Sequence, residues 1–207
     1  TLGPLVKQIP LASGEIVLAR VILGLATLGI IYFASGGCRA GNTADRYAVR
    51  KDIAILFVSG AVMGFNWVFL FEAYKYTTVS MATVSYYCAP VIITVLSPLV
   101  LGEKLTASRI AGIAAATAGM FMITGSLQGG SQPLKGVLFG LLAALFYACV
   151  TILNKQLKGG FTGIQITIVQ LFAAGIVVAP YAVINHEGAW VMPQGAGLVC
   201  LIIVGVV

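Results

Sequence analysis

Charged residues are scarce in this chain of 207 residues. Aspartate, glutamate, lysine and arginine together make up 9% of it, whereas 59% of it is hydrophobic. A soluble domain carries about 25% charged residues, so this chain cannot cover a water-exposed surface with polar groups. The composition excludes an ordinary soluble protein and predicts an all-α polytopic membrane protein.

Residues suited to catalysis or metal binding are also few. The chain has one histidine and four widely separated cysteines, and it contains no CxxC or HExxH motif. Intramembrane catalysis needs a nucleophile with its base, or a metal constellation, and none is visible. We therefore predict that the protein is not an enzyme and has no catalytic residues, no metal site and no cofactor.

Basic residues outnumber acidic ones by 12 to 6, but they lie between apolar segments rather than on one face. This arrangement indicates membrane topology and not a nucleic-acid partner. The loop over residues 35–52 contains four of the basic residues and is predicted to be cytoplasmic. Alternation of the spans then puts eight basic residues inside and three outside. We expect a multi-pass protein of the bacterial plasma membrane.

Long apolar runs divide the chain into membrane spans. A helix needs about 20 residues to cross the roughly 30 Å hydrocarbon core of a bilayer. Six complete spans are predicted, at residues 13–33, 53–71, 79–101, 109–124, 136–153 and 161–184. Residues 1–9 are predicted to be the end of an earlier span whose start is missing, and residues 196–207 the beginning of another.

The span at residues 79–101 is distinctive because Pro90 and Pro98 lie inside it. A proline in a helix interior costs roughly 3 kcal/mol in water, but neighbouring helices in a membrane can satisfy the carbonyl groups that it frees. Interrupted spans often line a substrate path in transporters. We expect this span to form a wall of such a path, with Pro90 as its kink or gate.

An internal repeat relates two distant parts of the chain. Residues 15–21 (EIVLARV) are echoed by residues 165–171 (QITIVQL), about 150 residues later. The second copy lies five spans further along the chain than the first, and an odd offset forces it to insert upside down. The sequence therefore predicts an inverted-topology repeat, an architecture that recurs among secondary transporters.

Several short motifs follow one another in the middle of the chain: AYKYTT at residues 73–78, then Pro90, LGEKLT at residues 101–106, AG at 111–112, and Gly119. Together they resemble the EamA-type domain of the drug/metabolite transporter superfamily. The resemblance implies ten spans in two inverted repeats of five. Residues 1–130 would form the first repeat, without the start of its first helix, and residues 131–207 an incomplete second repeat.

Intramembrane polar and aromatic residues are the candidates for binding chemistry. A charge near the bilayer centre costs about 2.5–3.5 kcal/mol and normally faces a cavity or a partner. The candidates for substrate binding are Arg20, Asn66, Trp67, Glu72, Tyr86, Tyr87, Tyr147 and Gln170. The candidates for coupling to a proton or another ion are Glu15 and Glu72.

Each candidate also has a structural interpretation. Arg20 could form a salt bridge or bind carbonyl groups of a broken helix, and Glu72 could form a local ion pair with Lys75. The aromatic side chains could simply pack. Pairs of small residues spaced by four are expected to pack helices closely; they are Gly60 with Gly64, Gly136 with Gly140, and Ala115 with Gly119.

The function favoured by these patterns is secondary active transport of small metabolites by alternating access. The resemblance implies export or exchange of small metabolites. We expect the substrates to be amino acids or related amphipathic compounds, including drugs, and the protein to be a monomer or a homodimer in the lipid bilayer. The alternatives are a membrane assembly or sensor subunit, and an intramembrane enzyme without a recognisable catalytic motif.

Overall fold

The computed structural model describes residues 13–34, 46–102, 106–123, 133–158 and 161–184, and all regular structure in these residues is α-helical. The helices are α1 (Ser13–Ala34), α2 (Arg46–Tyr76), α3 (Val79–Tyr86), α4 (Ala89–Leu101), α5 (Ala107–Ile123), α6 (Pro133–Lys155) and α7 (Gly163–Ile184).

Five of the described segments are long and apolar enough to cross a membrane. They are Gly14–Ala34, Val49–Tyr76, Val79–Leu101, Leu134–Lys155 and Gly163–Ile184. Helix α5 contains a shorter apolar stretch, Ile110–Gly119, at the position of the remaining predicted span. The prediction of an all-α polytopic membrane protein is confirmed.

Burial is distributed as a membrane protein requires. Large apolar side chains such as Phe33, Leu99 and Ile184 are about four-fifths exposed, while Ser59 and Asn66 are fully buried. A soluble protein would reverse this pattern, because water favours polar groups at the surface. The exposed apolar surface is therefore a lipid-facing surface.

The chain divides into two compact units. One comprises Thr1–Phe65 and Gln156–Val207, and the other comprises Asn66–Lys155. Helix α2 contributes to both, because it continues from Phe65 to Asn66. The predicted repeats, residues 1–130 and 131–207, describe a relation between sequences rather than a spatial division, and they stay a prediction.

In the first unit, α1 and α7 pack closely in an antiparallel pair. Gly14 of α1 lies against Ala182, and Val21 lies against Gly175. A Cβ atom at Gly14 would come within 2.8 Å of the Ala182 Cα atom. Glycine at this position therefore lets the two backbones approach to a distance that a larger residue would prevent.

Helix α2 packs on α7 through the pair Gly60 and Gly64. A Cβ atom at Gly60 would lie 2.5 Å from the Gln170 carbonyl oxygen, and one at Gly64 would lie 3.0 Å from the Ala174 carbonyl oxygen. Both contacts advance in the same direction, so this part of α2 runs parallel to α7. The close packing predicted for this small-residue pair is confirmed.

In the second unit, α6 packs against α3 and α4. Gly136 faces the Thr77 side chain, and Gly140 faces Ser85. These contacts confirm the packing predicted for the second pair. The third pair behaves differently: a Cβ atom at Gly119 would meet no other described residue within 4 Å.

The predicted span at residues 79–101 is one membrane crossing made of two helices. Helix α3 ends at Tyr86, and Pro90 occupies the first turn of α4. Proline has no N–H to donate to the Tyr86 carbonyl. Just before it, the Cys88 N–H donates to the Ser85 carbonyl, three residues back, at 3.2 Å. The chain therefore tightens locally and the α-helix breaks two residues before the proline.

Both ends of this broken span are capped. The Thr78 hydroxyl accepts a hydrogen bond from the Met81 N–H at 3.3 Å and starts α3. Gly102, with φ of 66°, ends α4 and donates its N–H to the Pro98 carbonyl. This left-handed conformation favours glycine. It explains why the span stops at the GE junction.

The predicted loop at residues 35–52 is wrong at its end, because α2 already begins at Arg46. The apolar pattern shows only where a helix enters the lipid. The helix itself begins earlier, because the Arg, Ala and Lys residues before the apolar run are good helix formers. Asp52 lies inside the helix and is only 2% exposed. Four predictions lie outside the described residues: the end of an earlier span at residues 1–9, the rest of that loop, Glu103 and Lys104 of the junction, and the span from residue 196.

Candidate functional site

Arg20 and Gln170, which the repeat predicts to be equivalent, lie close to the crossing of α1 and α7. The two antiparallel contacts put residue 23 of α1 level with residue 173 of α7. These positions are 150 residues apart, which is the spacing of the sequence repeat. A two-fold axis through this point would exchange Arg20 with Gln170.

Gln170 is held in place by a serine of α2. Its side-chain Nε2 donates to the Ser59 Oγ at 2.7 Å, and the Ser59 hydroxyl donates to the Leu56 carbonyl at 3.0 Å. Gln170 is 6% exposed and Ser59 is fully buried. Sequence reasoning missed Ser59, although a serine directly before Gly60 in an apolar span was a signal for it.

Glu15 and Arg20 are both half-buried on α1. Each has an interaction partner, so neither is an isolated charge in lipid. This agrees with the high cost of exposing a charged group to hydrocarbon. Their roles in substrate binding and coupling stay predictions.

Asn66 connects α2 to α6 in the second unit. Its Nδ2 donates to the Ala143 carbonyl at 2.5 Å, and the side chain is 1% exposed. Beside it, Trp67 is half-buried. The Asn66 amide therefore has a packing role, and a contact of Asn66 or Trp67 with substrate stays a prediction.

An aromatic seam extends this contact between α2 and α6. Phe69 lies 6.0 Å from Phe139 and 5.3 Å from Phe146, measured between ring centroids. Tyr76 stacks on the other side of Phe139 at 5.6 Å. Aromatic pairs at such distances add about 0.5–1.5 kcal/mol to the burial of their area. The seam therefore adds to the packing of the second half of α2, from Asn66 onward, against α6.

Three tyrosines gather at the break between α3 and α4. Tyr86 meets Tyr147 of α6 edge to face at 5.6 Å, and its ring lies 6.3 Å from that of Tyr87. Tyr147 and Tyr87 are 43% and 53% exposed. The structure thus brings three predicted site residues together into an aromatic patch beside Pro90. Such rings can stack on an aromatic ligand or bind a cation.

Glu72 forms the local ion pair with Lys75 that the sequence predicted as its structural role. Lys75 Nζ lies 2.6 Å from Glu72 Oε1, three residues earlier on α2. The Lys75 side chain is 48% exposed and that of Glu72 is 16% exposed. Exposed pairs of this kind stabilise a helix by at most about 1 kcal/mol. A proton or another coupling ion would therefore compete with Lys75 for the Glu72 carboxylate.

Gln165 has a local role at the start of α7. Its Oε1 accepts from the Thr162 N–H at 3.0 Å, while the Thr162 hydroxyl accepts from the Gln165 N–H at 3.5 Å. This reciprocal arrangement is a capping box. In the predicted repeat, Gln165 corresponds to Glu15.

The candidates form two groups, one in each unit. Glu15, Arg20 and Gln170 belong to the first unit, and the remaining candidates with Pro90 belong to the second. Within the described ranges, no three His, Cys, Asp or Glu side chains are grouped so that they could hold a metal ion.

Comparison with known proteins places the chain in a family. The model of the EamA-like transporter family matches residues 3–125, more than half of the sequence. The chain belongs to the EamA-like transporter family. The resemblance of its motifs to the drug/metabolite transporter superfamily is thereby confirmed.

Relatives of this EamA-like chain are named as transporters. An uncharacterized transporter of Bacillus subtilis, YxxF, is 29% identical over 199 residues, which cover 91% of this chain and 61% of the relative. An uncharacterized transporter of Archaeoglobus fulgidus is 27% identical, over 61% of this chain and 46% of the relative. The chain thus spans less than two thirds of the length of these relatives.

A solved crystal structure has the same fold. It matches 95% of this chain and 66% of its own with a TM-score of 0.71, at 17% sequence identity. At that identity the likeness concerns the fold alone. Family and fold together establish a multi-pass membrane protein of the EamA-like type.

Proposed function

We propose that the protein containing this chain is a secondary active transporter that exports small metabolites by alternating access. Membership of the EamA-like family and the transporter names of its relatives support this function. They also argue against an enzyme.

The antiparallel packing of α1 on α7 is the structural observation that supports alternating access. It relates residues 150 positions apart, as two inverted repeats meeting at a two-fold axis would. Inverted repeats support alternating access, because each repeat can take the conformation of the other around a fixed site. The repeats at residues 1–130 and 131–207 are part of this proposal.

The substrate class follows from the chemistry of the two candidate groups. The guanidinium of Arg20 can bind a carboxylate through two parallel hydrogen bonds. The tyrosine patch formed by Tyr86, Tyr87 and Tyr147 can bind an aromatic or cationic part of a molecule. Amino acids and related amphipathic compounds, including drugs, carry such groups, and Arg20 and the tyrosine patch are each proposed as a contact on its own, within its own unit.

Coupling to a proton or another ion requires a carboxylate in the membrane region. Glu15 and Glu72 are the two predicted candidates, and both are engaged: Glu72 pairs with Lys75, and Glu15 has an interaction partner of its own. Asp52 adds a further candidate, because it is 2% exposed whereas Arg50 and Lys51 beside it are exposed.

Transport by the full-length protein in proteoliposomes tests the proposal. Vesicles preloaded with one amino acid, amine or nucleoside at a time would be assayed for counterflow of the labelled compound. We expect saturable counterflow for a zwitterionic or anionic amphipathic compound. Absence of counterflow across all three classes, in a protein that melts cooperatively, would contradict the assigned substrate class.

A further inference from the structure

A groove lies along α4 and α5 in the second unit. It has a volume of about 460 Å³ and is open on one side. Its apolar wall is formed by Pro90 and Ile93 of α4 and by Ile113 of α5. Flanking side chains such as Leu99 and Ile110 are apolar and more than half exposed. The groove therefore opens on a surface suited to lipid.

One part of the groove is polar. Ser97 of α4 lines it and is 4% exposed, and its hydroxyl makes no hydrogen bond within the described residues. A buried hydroxyl without a partner costs free energy, so it favours a ligand that completes its hydrogen bond. Thr94 lines the same part, but its hydroxyl already donates to the Pro90 carbonyl at 3.0 Å.

Lys155 supplies a positive charge to the same groove. It is the last residue of the span Leu134–Lys155, and it is exposed. The end of a span lies at the level of the lipid headgroups. Lys155 already has an interaction partner, so a phosphate at this position would be a further contact of the same residue.

The groove thus combines a cation, a buried hydroxyl without a hydrogen bond to the described part of the chain, and an apolar wall. Basic pockets between membrane helices bind phospholipid head groups through these features. A small soluble anion would leave the apolar wall uncovered, whereas an acyl chain covers it. Charge complementarity and the lipid-facing surroundings therefore select one class of ligand.

We propose that this groove binds an anionic phospholipid. Lys155 and the Ser97 hydroxyl bind its phosphate, and its acyl chain lies along Pro90, Ile93 and Ile113. The site belongs to the second unit alone, so it does not depend on the proposed transport function.

Lipid titration of the full-length protein tests this site. Protein delipidated in detergent would be titrated with phosphatidylglycerol, and bound lipid measured by native mass spectrometry. We expect Lys155→Gln to weaken binding about tenfold, equivalent to 1.4 kcal/mol, and Ser97→Ala to weaken it severalfold. Lys158→Gln is the matched control: Lys158 follows Lys155 by three residues in the sequence, is exposed and does not line the groove, so we expect less than a twofold change. Equal losses for the two lysine variants would mean attraction to the surface in general and would overturn the site.

A second variant separates binding from folding. Ile113→Phe fills the groove without changing any charge, and it should expel the phosphatidylglycerol retained by the wild-type protein while the melting temperature is kept. Retained lipid in this variant contradicts the proposal. Inorganic phosphate provides the last arm: if it binds alone in lipid-free detergent with the same dependence on Lys155, the groove is a free-phosphate site and the lipid assignment is wrong.

Discussion

At the scale of single residues, Arg20 is the side chain on which transport should depend most. Arg20→Gln reproduces the glutamine of the second repeat and keeps a hydrogen-bond donor while removing the charge. Loss of a charge-assisted hydrogen bond costs roughly 1.5–3 kcal/mol, so we expect transport of an anionic substrate to fall about 10- to 150-fold. Counterflow and melting temperature would be measured on the same sample.

The two measurements distinguish the roles of Arg20. A large loss of transport at an unchanged melting temperature supports substrate binding. A parallel fall of melting temperature and expression indicates a structural salt bridge instead. Arg20→Lys serves as the control, because it keeps the charge and loses only the planar fork of donors.

The hydrogen bond between Gln170 and Ser59 should couple α2 to α7 energetically. A double-mutant cycle with Ser59→Ala and Gln170→Leu removes each partner and then both. Interhelical hydrogen bonds in membranes contribute about 0.6 kcal/mol on average and at most roughly 1.7 kcal/mol. We expect a coupling free energy of unfolding in this range, measured by denaturation in detergent micelles.

Thr167 provides the matched control for this cycle. Its hydroxyl donates at 2.9 Å to the Gly163 carbonyl of the same helix. Thr167→Val should therefore leave the coupling between α2 and α7 unchanged. Additive single variants at Ser59 and Gln170 would show that their contact contributes nothing to stability.

At the scale of helices, glycine at position 60 should be indispensable to the contact between α2 and α7. In Gly60→Ala, the new Cβ would lie 2.5 Å from the Gln170 carbonyl oxygen. The helices must separate, and overpacking typically costs about 1–3 kcal/mol. Gly29→Ala is the control, because a Cβ there meets nothing within 4 Å. The control should be neutral or more stable by up to roughly 1 kcal/mol.

The break before Pro90 should matter for transport more than for stability. Pro90→Ala restores an N–H that can donate to the Tyr86 carbonyl, so α3 and α4 can join into one helix. We expect an unchanged or raised melting temperature together with slower counterflow. Spin labels at Ser80 and Val95 would report the straightening as a longer distance. Wild-type transport with a straightened span would show that the break is not a gate.

The helices show how far sequence reasoning reaches. Long apolar runs predicted the spans because the bilayer fixes both their length and their composition. The break at Tyr87 and Cys88 was anticipated only as a kink at Pro90, since a sequence does not show how the neighbouring turn rearranges. The start of α2 at Arg46 was missed because its first turns lie outside the apolar pattern.

Side-chain partners were harder to predict than helices. The ion pair of Glu72 with Lys75 was foreseen because both residues lie on one helix, three positions apart. The bond between Gln170 and Ser59 joins residues 111 positions apart. Only the packing of α2 on α7 brings these two together, and no local pattern encodes that packing.

At the scale of the whole molecule, topology is open to a direct test. The basic loop predicts that position 43 faces the cytoplasm and position 187 the exterior. In a cysteine-free background, Thr43→Cys should resist an impermeant thiol reagent applied to intact cells, whereas Glu187→Cys should react. The reverse pattern would invert the orientation. Permeabilised cells, in which both positions should react, control for reagent access.

The antiparallel pairing of α1 with α7 also has a consequence for biosynthesis. Val21 meets Gly175, so α1 leaves the ribosome long before its partner exists. At about 5–20 residues per second, translation of the intervening chain takes roughly 8–30 s. During that interval the face around Gly14 and Val21 has only lipid or transient neighbours. We therefore expect the yield of folded protein to rise when insertion machinery or a membrane chaperone shields α1 until α7 has been synthesised.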